Sequence, residues 1–310
     1  MWDIEQNRLL KIFNGQNNPI QSVSFSGNEK FVVAGSGKRN GDLGYSIKIY
    51  DTKTQKVLKT LKSNRYIKAL DVSLGRYVIS ALEDSYNIKL WDTKRKRKTK
   101  TLTGHIGQVN DVAISWDGTY LLSASDDKTI KLWRRKNGRL IHTFKGHKDA
   151  VISVALSHDD RYIISASLDK TIKIWDRKGQ KLLKTIHTDK EIATMSISPN
   201  GKYIITASTD MDEDKPKVIT IWDREKGTKI QTFQSNREPI KSLAISNSAK
   251  EILSTSNERI LLWSTKNPQK PIKEFTGGAN GQWIIIDNLQ NRYIQAEEKS
   301  GELLVDTNAS

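Results

Sequence analysis

The chain is 310 residues long, with 51 lysines and arginines against 35 aspartates and glutamates, a formal net charge of +16, and no cysteine. The missing cysteine excludes disulfides, thiolate metal sites and a cysteine nucleophile, and the positive excess favours acidic partners without bearing on fold. The opening MWDIEQNRLLKIF lacks the basic-then-apolar layout of a secretory signal, and no apolar run approaches the roughly 20 residues that span a bilayer. The expectation is therefore a soluble intracellular protein, cytoplasmic, or nuclear in a eukaryotic host.

Taken in chain order, short apolar and β-branched runs alternate with turn residues, the pattern of strands at regular spacing. The segments SIKIYD, NIKLWD, TIKLWR, TIKIWD, VITIWD and RILLWS place an aromatic ring at Tyr50, Trp91, Trp133, Trp175, Trp222 and Trp263, at intervals of 41, 42, 42, 47 and 41 residues. The unit VISVALSHDDRYIISASLDKTIKIWDRKGQKLLKTI predicts four strands: Val151 to Ser157, Tyr162 to Ser167, Thr171 to Trp175 and Lys181 to Ile186. A four-stranded unit with this repeat matches a propeller blade, which buries its apolar faces only against neighbouring copies. After Trp263 the segments PIKEF, QWIIID, NRYIQAE and GELLVD continue the strand pattern, and RLLKIF offers one more strand at the other terminus.

The segments GHIGQVNDVAISWDGTYLLSASDDKTIKLW and GHKDAVISVALSHDDRYIISASLDKTIKIWD resemble the WD-repeat β-propeller family, whose repeats run from Gly-His to Trp-Asp. The reading that follows is all-β: a single seven-bladed propeller of four-stranded antiparallel blades. The blades fall near 20–62, 66–103, 108–145, 150–187, 191–234 and 239–276, with a last one from 282–306 plus 8–13 that closes the ring with both termini. The resemblance implies a structural hydrogen-bond network of His105, Ser123, Asp127 and Trp133 in one blade, and of His147, Ser165, Asp169 and Trp175 in the next. Other blades keep parts of it: Ser80, Asp84 and Trp91; Thr206, Asp210 and Trp222, with Thr188 near the histidine position; and Ser254, Asn257 and Trp263.

Antiparallel alternation sorts the turns onto two faces. Turns from strand two to three and from strand four to the next blade carry Lys38, Arg39, Arg65, Tyr66, Tyr86, Ile106, Gln108, Asp126, Lys148, Asp149, Leu168, Asp189, Lys190, the acidic insertion, Arg237, Glu238 and Arg259, a face of mixed sign. The resemblance implies that partners dock on this first face and at the channel mouth. The second face collects a basic arc: Lys94, Arg95, Lys96, Arg97 and Lys98 from WDTKRKRKTK, then Arg134, Arg135, Lys136 and Arg139, then Arg177, Lys178 and Lys181. Lys98 stands where outer strands elsewhere have an aliphatic residue, which suits either protection of an edge or contact with an anion.

No chemistry-bearing constellation stands out. The Gly-rich GSGKRNGDLG lies between two strands, not between a strand and a helix as a phosphate loop requires. The acidic insertion TDMDEDKPK lacks the glycine and terminal glutamate of a calcium loop. The expected function is a non-catalytic scaffold, a monomeric ring within a larger complex that holds one or more proteins, with no cofactor, metal or catalytic residue. The alternative is a polyanion-binding module that touches RNA, DNA or an acidic membrane or protein surface through the arc.

Overall fold

A computed structural model describes residues 2–3, 8–9, 13, 20–36, 44–74, 76–94, 99–209, 217–235, 238–246, 248–256, 259–277, 283–287, 292–299 and 302–306. Among them every regular element is a strand. The chain forms two compact units, Met1–Thr185 and Ile186–Ser310.

In the first unit, blade one pairs Ile20–Phe25, Phe31–Ser36, Ser46–Asp51 and Val57–Lys62 in sequence order. Blade two follows with Ile67–Ser73, Tyr77–Leu82, Ile88–Asp92 and Thr99–Leu102. Blade three is Val109–Ile114, Tyr120–Ser125, Thr129–Arg134 and Arg139–Lys145. Blade four is Val151–Leu156, Tyr162–Ser167, Thr171–Asp176 and Lys181–His187, the last strand running into the start of the second unit.

The second strands (YVISAL, YLLSAS, YIISAS) are buried along their length after the first tyrosine. A strand covered on both faces reads as a continuous apolar run, whereas one with a wet face alternates. Fourth strands are the exposed ones, as in Val57–Lys62. Blades adhere through apolar faces: Ile79, Ile88 and Leu102 of blade two pack with Val109, Leu121 and Trp133 of blade three. Leu122, Ile130 and Phe144 of blade three pack in turn with Val151, Ile163 and Trp175 of blade four. First strands carry a bulge near their start, at Ile67/Ala69, Val109/Asp111 and Val151/Ser153, which re-aims the side chains that follow.

In the second unit, blade five is Ile192–Ile197, Tyr203–Ser208, Val218–Asp223 and Lys229–Gln234. Blade six is Ser242–Ile245, Glu251–Thr255, Arg259–Ser264 and Lys273–Gly277. Ile205, Ile219 and Phe233 of blade five pack against Leu243, Ile252 and Trp263 of blade six.

The count of seven blades is wrong: the propeller has six four-stranded blades, not seven. Trp283–Asp287, Arg292–Lys299 and Glu302–Asp306 extend the sixth sheet, making it seven-stranded, with Phe275 opposite Ile285 in the pairing that joins them. The terminal strand expected to complete a seventh blade does not join them, since Arg8–Leu9 pairs with Trp2–Asp3 in a sheet of its own.

A candidate docking face and the networks beneath it

The first face rests on side-chain networks at the blade junctions. In blade four the Trp175 indole N–H donates to Ser165 Oγ (3.0 Å), Ser165 Oγ lies 2.8 Å from His147 Nε2, and His147 Nδ1 lies 2.9 Å from Asp169 Oδ2. One tautomer satisfies all three contacts: the Ser165 hydroxyl donates to Nε2, and Nδ1–H donates to the carboxylate. Burial pushes the His147 imidazole down, against the opposing pull of Asp169, so the ring is neutral. Burial also works against ionisation of Asp169, but donors at Thr171, the Lys148 amide and His147 outweigh it and hold the carboxyl below its usual range.

Blade three repeats the arrangement. Trp133 Nε1 donates to Ser123 Oγ at 3.0 Å, His105 Nε2 is 2.7 Å from that hydroxyl, and His105 Nδ1 is 2.6 Å from Asp127 Oδ2. Asp127 is buried, yet hydrogen bonds from His105 and Thr129 hold it far below the usual carboxylate range. The same carboxylate accepts the amide of Ile106 at 3.2 Å, and Asp169 accepts that of Lys148 at 2.8 Å. The networks therefore fix the backbone of two residues on the first face.

In the other blades the described residues show the inner half of the network. Trp91 donates to Ser80, Trp222 to Thr206 and Trp263 to Ser254, at 3.0, 2.9 and 2.9 Å. Blade one has Ala34 and Tyr50 there, and Tyr50 Oη is buried without a partner. Asp210 and Asn257 lie outside the described residues.

On the first face of the first unit, Ile106 is 84% exposed and Tyr86 54% exposed. Arg65 and Lys148 are exposed around them, and Tyr66 and Leu168 are half-buried. Arg65 Nη1 donates to the carbonyl of Asp84 at 2.9 Å, tying two first-face turns of blade two. Gln108 is committed to structure: its amide donates to the carbonyls of Leu82 and Val109, and its Oε1 accepts the amide of Ser85. In the second unit Lys190 is half-buried, and Arg259 is neutralised by Glu274 at 2.9 Å and Glu238 at 3.4 Å. Lys38, Arg39 and Arg237 lie outside the described residues, as do most of the Gly-rich and acidic insertions.

The basic arc of the second face is partly used up. Arg135 Nε donates to the carbonyl of Gly118 and its guanidinium lies 3.8 Å from the Tyr77 ring centroid, a bridge from blade three to blade two. Arg177 does the same in blade four, bonding the carbonyl of Asp160 and lying 4.0 Å from the Tyr120 ring. Lys94, Arg134, Lys136, Arg139, Lys178 and Lys181 are exposed, whereas Arg95, Lys96, Arg97 and Lys98 lie outside the described residues.

Three features escaped the reading of the sequence. Asp71 accepts bonds from the Ser24 hydroxyl of blade one at 2.8 Å and the Ile114 amide of blade three at 3.0 Å. Asp111 accepts the Ser153 hydroxyl and Val154 amide of blade four, both at 2.9 Å. Burial raises both carboxyls, Asp111 to about 6. The third feature is Trp116, 45% exposed on the second face, whose ring lies 4.7 Å from that of His158. A lone Asp inside the apolar first-strand segments ALDVS and VNDVAI was the available signal for the first two, because a buried carboxylate demands partners.

Among the described residues no group of three or more histidines and carboxylates is placed to hold a metal ion, and no helix is long and apolar enough to cross a membrane. Curated proteins give no match to the sequence. The family described as WD domain, G-beta repeat (WD40) matches residues 7–51, 96–134, 138–176 and 180–212. With half of the chain matched and the strands arranged in propeller blades, the protein belongs to the WD40 repeat family, whose propellers typically serve as protein-interaction scaffolds.

Proposed function

We propose that this protein is a non-catalytic scaffold that docks other proteins on the first face of blades two to four. The observation that carries the reading is Ile106. It is a large aliphatic side chain left 84% exposed on a backbone whose amide is bonded to the buried Asp127 carboxylate. A single exposed aliphatic residue is ordinary on a protein surface, but one whose backbone is bonded to the core, on the same face as the exposed Tyr86, has the makings of an interface anchor. Ordering the backbone of such a residue on binding costs little conformational entropy, because its amide is already bonded to Asp127. Arg65 and Lys148 are exposed on a face that also exposes Asp84, Asp126 and Asp149, so its charge is mixed in sign and selects partners by electrostatic complementarity.

Affinity capture from native cells tests the reading. The wild type is compared with the pair Arg65→Glu and Lys148→Glu, whose side chains are exposed and take no part in the His-Ser-Asp-Trp networks. The docking scaffold predicts loss of at least one stoichiometric partner at unchanged melting temperature. Identical partner sets would remove this face from consideration.

A further inference from the structure

Blade five holds a cavity of about 140 Å³ beside Trp222. The register shows how it arises. Along blade three the cross-strand series is Ser123, Lys131 and Thr143, and blade four begins the same way with Ser165 opposite Lys173. In blade five the matching series is Thr206, Thr220 and Thr232, so a threonine replaces the lysine stem. The connection into the blade, from Ile186 to Ile192, is also one residue shorter than the one from Leu102 to Val109, and it carries Thr188 where the other has His105. One imidazole and one lysine stem are missing, while the Trp222–Thr206 half of the framework is kept. Thr188, Thr206, Thr220, Trp222 and Thr232 line the space with Asp189, Lys190, Glu191 and Lys229, whose ammonium is paired with Asp189 at 2.8 Å and lies 5.9 Å from the Trp222 ring centroid.

The lining specifies what fits. Thr206 Oγ1 already accepts the Trp222 indole N–H at 2.9 Å, as Ser165 accepts that of Trp175. Its own hydroxyl hydrogen donates to no described residue. In blade four that hydrogen is taken by His147 Nε2, with the imidazole and indole centroids 6.2 Å apart. The occupant must therefore bring an acceptor to Thr206 and a flat ring to the side of Trp222. Lysine and arginine carry no acceptor; a neutral imidazole carries an acceptor and a donor on one ring. Size is adequate, since a cavity of about 150 Å³ takes up benzene.

We propose that this cavity receives a histidine side chain from a docked partner protein, which completes in trans the network that His105 and His147 complete within the chain. Thr188 belongs to a connection of the first-face kind, and the inference rests on the reading of such connections as a docking surface. It adds the chemistry of the partner: an exposed histidine on a loop able to reach blade five. Recognition is restricted to the neutral ring, because a protonated imidazole has no acceptor left for Thr206.

Purified full-length protein is titrated with imidazole and with N-acetyl-histidinamide at pH 8 and pH 5, following indole N–H resonances by NMR and the melting temperature. The expected result is saturable binding of both probes at pH 8 that perturbs the Trp222 indole, and at least tenfold weaker binding at pH 5. Thr206→Val removes the hydroxyl at nearly constant shape and should weaken binding at least tenfold while the remaining indole resonances keep their positions. Absence of saturable binding at pH 8 overturns the proposal, as does undiminished affinity in Thr206→Val. Binding of imidazole but not of the capped histidine overturns the partner side chain as the source. Since the titration needs no partner, its failure leaves the capture experiment on Arg65 and Lys148 standing, and failure of that capture leaves the titration interpretable.

Discussion

Asp111 and Ser153 join neighbouring blades through a buried hydrogen bond of 2.9 Å, and the amide of Val154 meets the same carboxylate oxygen at 2.9 Å. A carboxylate in that position is stabilised by its donors but penalised by burial, and burial dominates, raising it to about 6. Its unfolded value is about 4. A folded pKa above the unfolded one means the native state holds the proton more tightly. The contribution is fully present below about pH 4 and is lost as pH rises through about 6. Urea midpoints should therefore rise between pH 7 and pH 5, by on the order of 1 kcal/mol from this group. In Asp111→Asn the rise should shrink; an undiminished rise would assign the effect to other groups.

The networks of blades three and four have the opposite dependence. Asp127 and Asp169 are held below their usual range by their donors, so they stabilise the fold above about pH 4 and lose that contribution as pH falls further. Acid unfolding should be shallower in Asp169→Asn than in the wild type. Near neutral pH, His147→Ala should cost about 1–3 kcal/mol, because it leaves Ser165 and Asp169 buried without their partner. A change under 0.5 kcal/mol by denaturant titration would show that the network does not hold the blade.

Arg177 and Tyr120 couple blade four to blade three, with the guanidinium 4.0 Å from the ring centroid. A double-mutant cycle with Arg177→Met and Tyr120→Leu should give a coupling energy of about 0.5–2 kcal/mol. It should survive added salt better than an exposed ion pair does. Additive single-mutant effects would mean that the contact contributes nothing.

Asp160 sits at φ 56° in the turn after the first strand of blade four, and its Oδ1 is buried without a partner. Blades three and five place Gly118 and Gly201 at this position, with φ 70° and 67°. Asp160→Gly removes both the backbone strain and the orphaned acceptor, and should stabilise the protein by about 1 kcal/mol. A lower melting temperature would show that the carboxylate has a stabilising role near Arg177.

The repeat, the strand order within each blade and the members of the two complete networks were legible because each depends on local spacing and on residue types with few alternatives. The number of blades was not. Trp283, Ile284 and Ile285 have the composition of a first strand of a new blade, but a strand that extends an existing sheet has the same composition, and only the partner of Phe275 distinguishes them. The ties between blades were equally hidden. Arg135 and Arg177 look like free surface charge in the sequence, since nothing local reveals that Tyr77 and Tyr120 of the preceding blades lie beneath them. Gln108 looked available for a partner because its three bonds all end on backbone groups, which carry no sequence signature.

Docking on the first face is tested most directly by Ile106→Asp. The side chain is almost wholly exposed and its amide bond to Asp127 does not depend on it, so the fold should be indifferent to the change. Quantitative mass spectrometry of proteins captured by the wild type and the variant, at matched expression, is predicted to show a partner lost at least tenfold with the melting temperature within 1–2 °C, as expected for a hot-spot truncation of more than about 1 kcal/mol. An unchanged set of captured proteins, with a folded variant, would contradict docking at this surface.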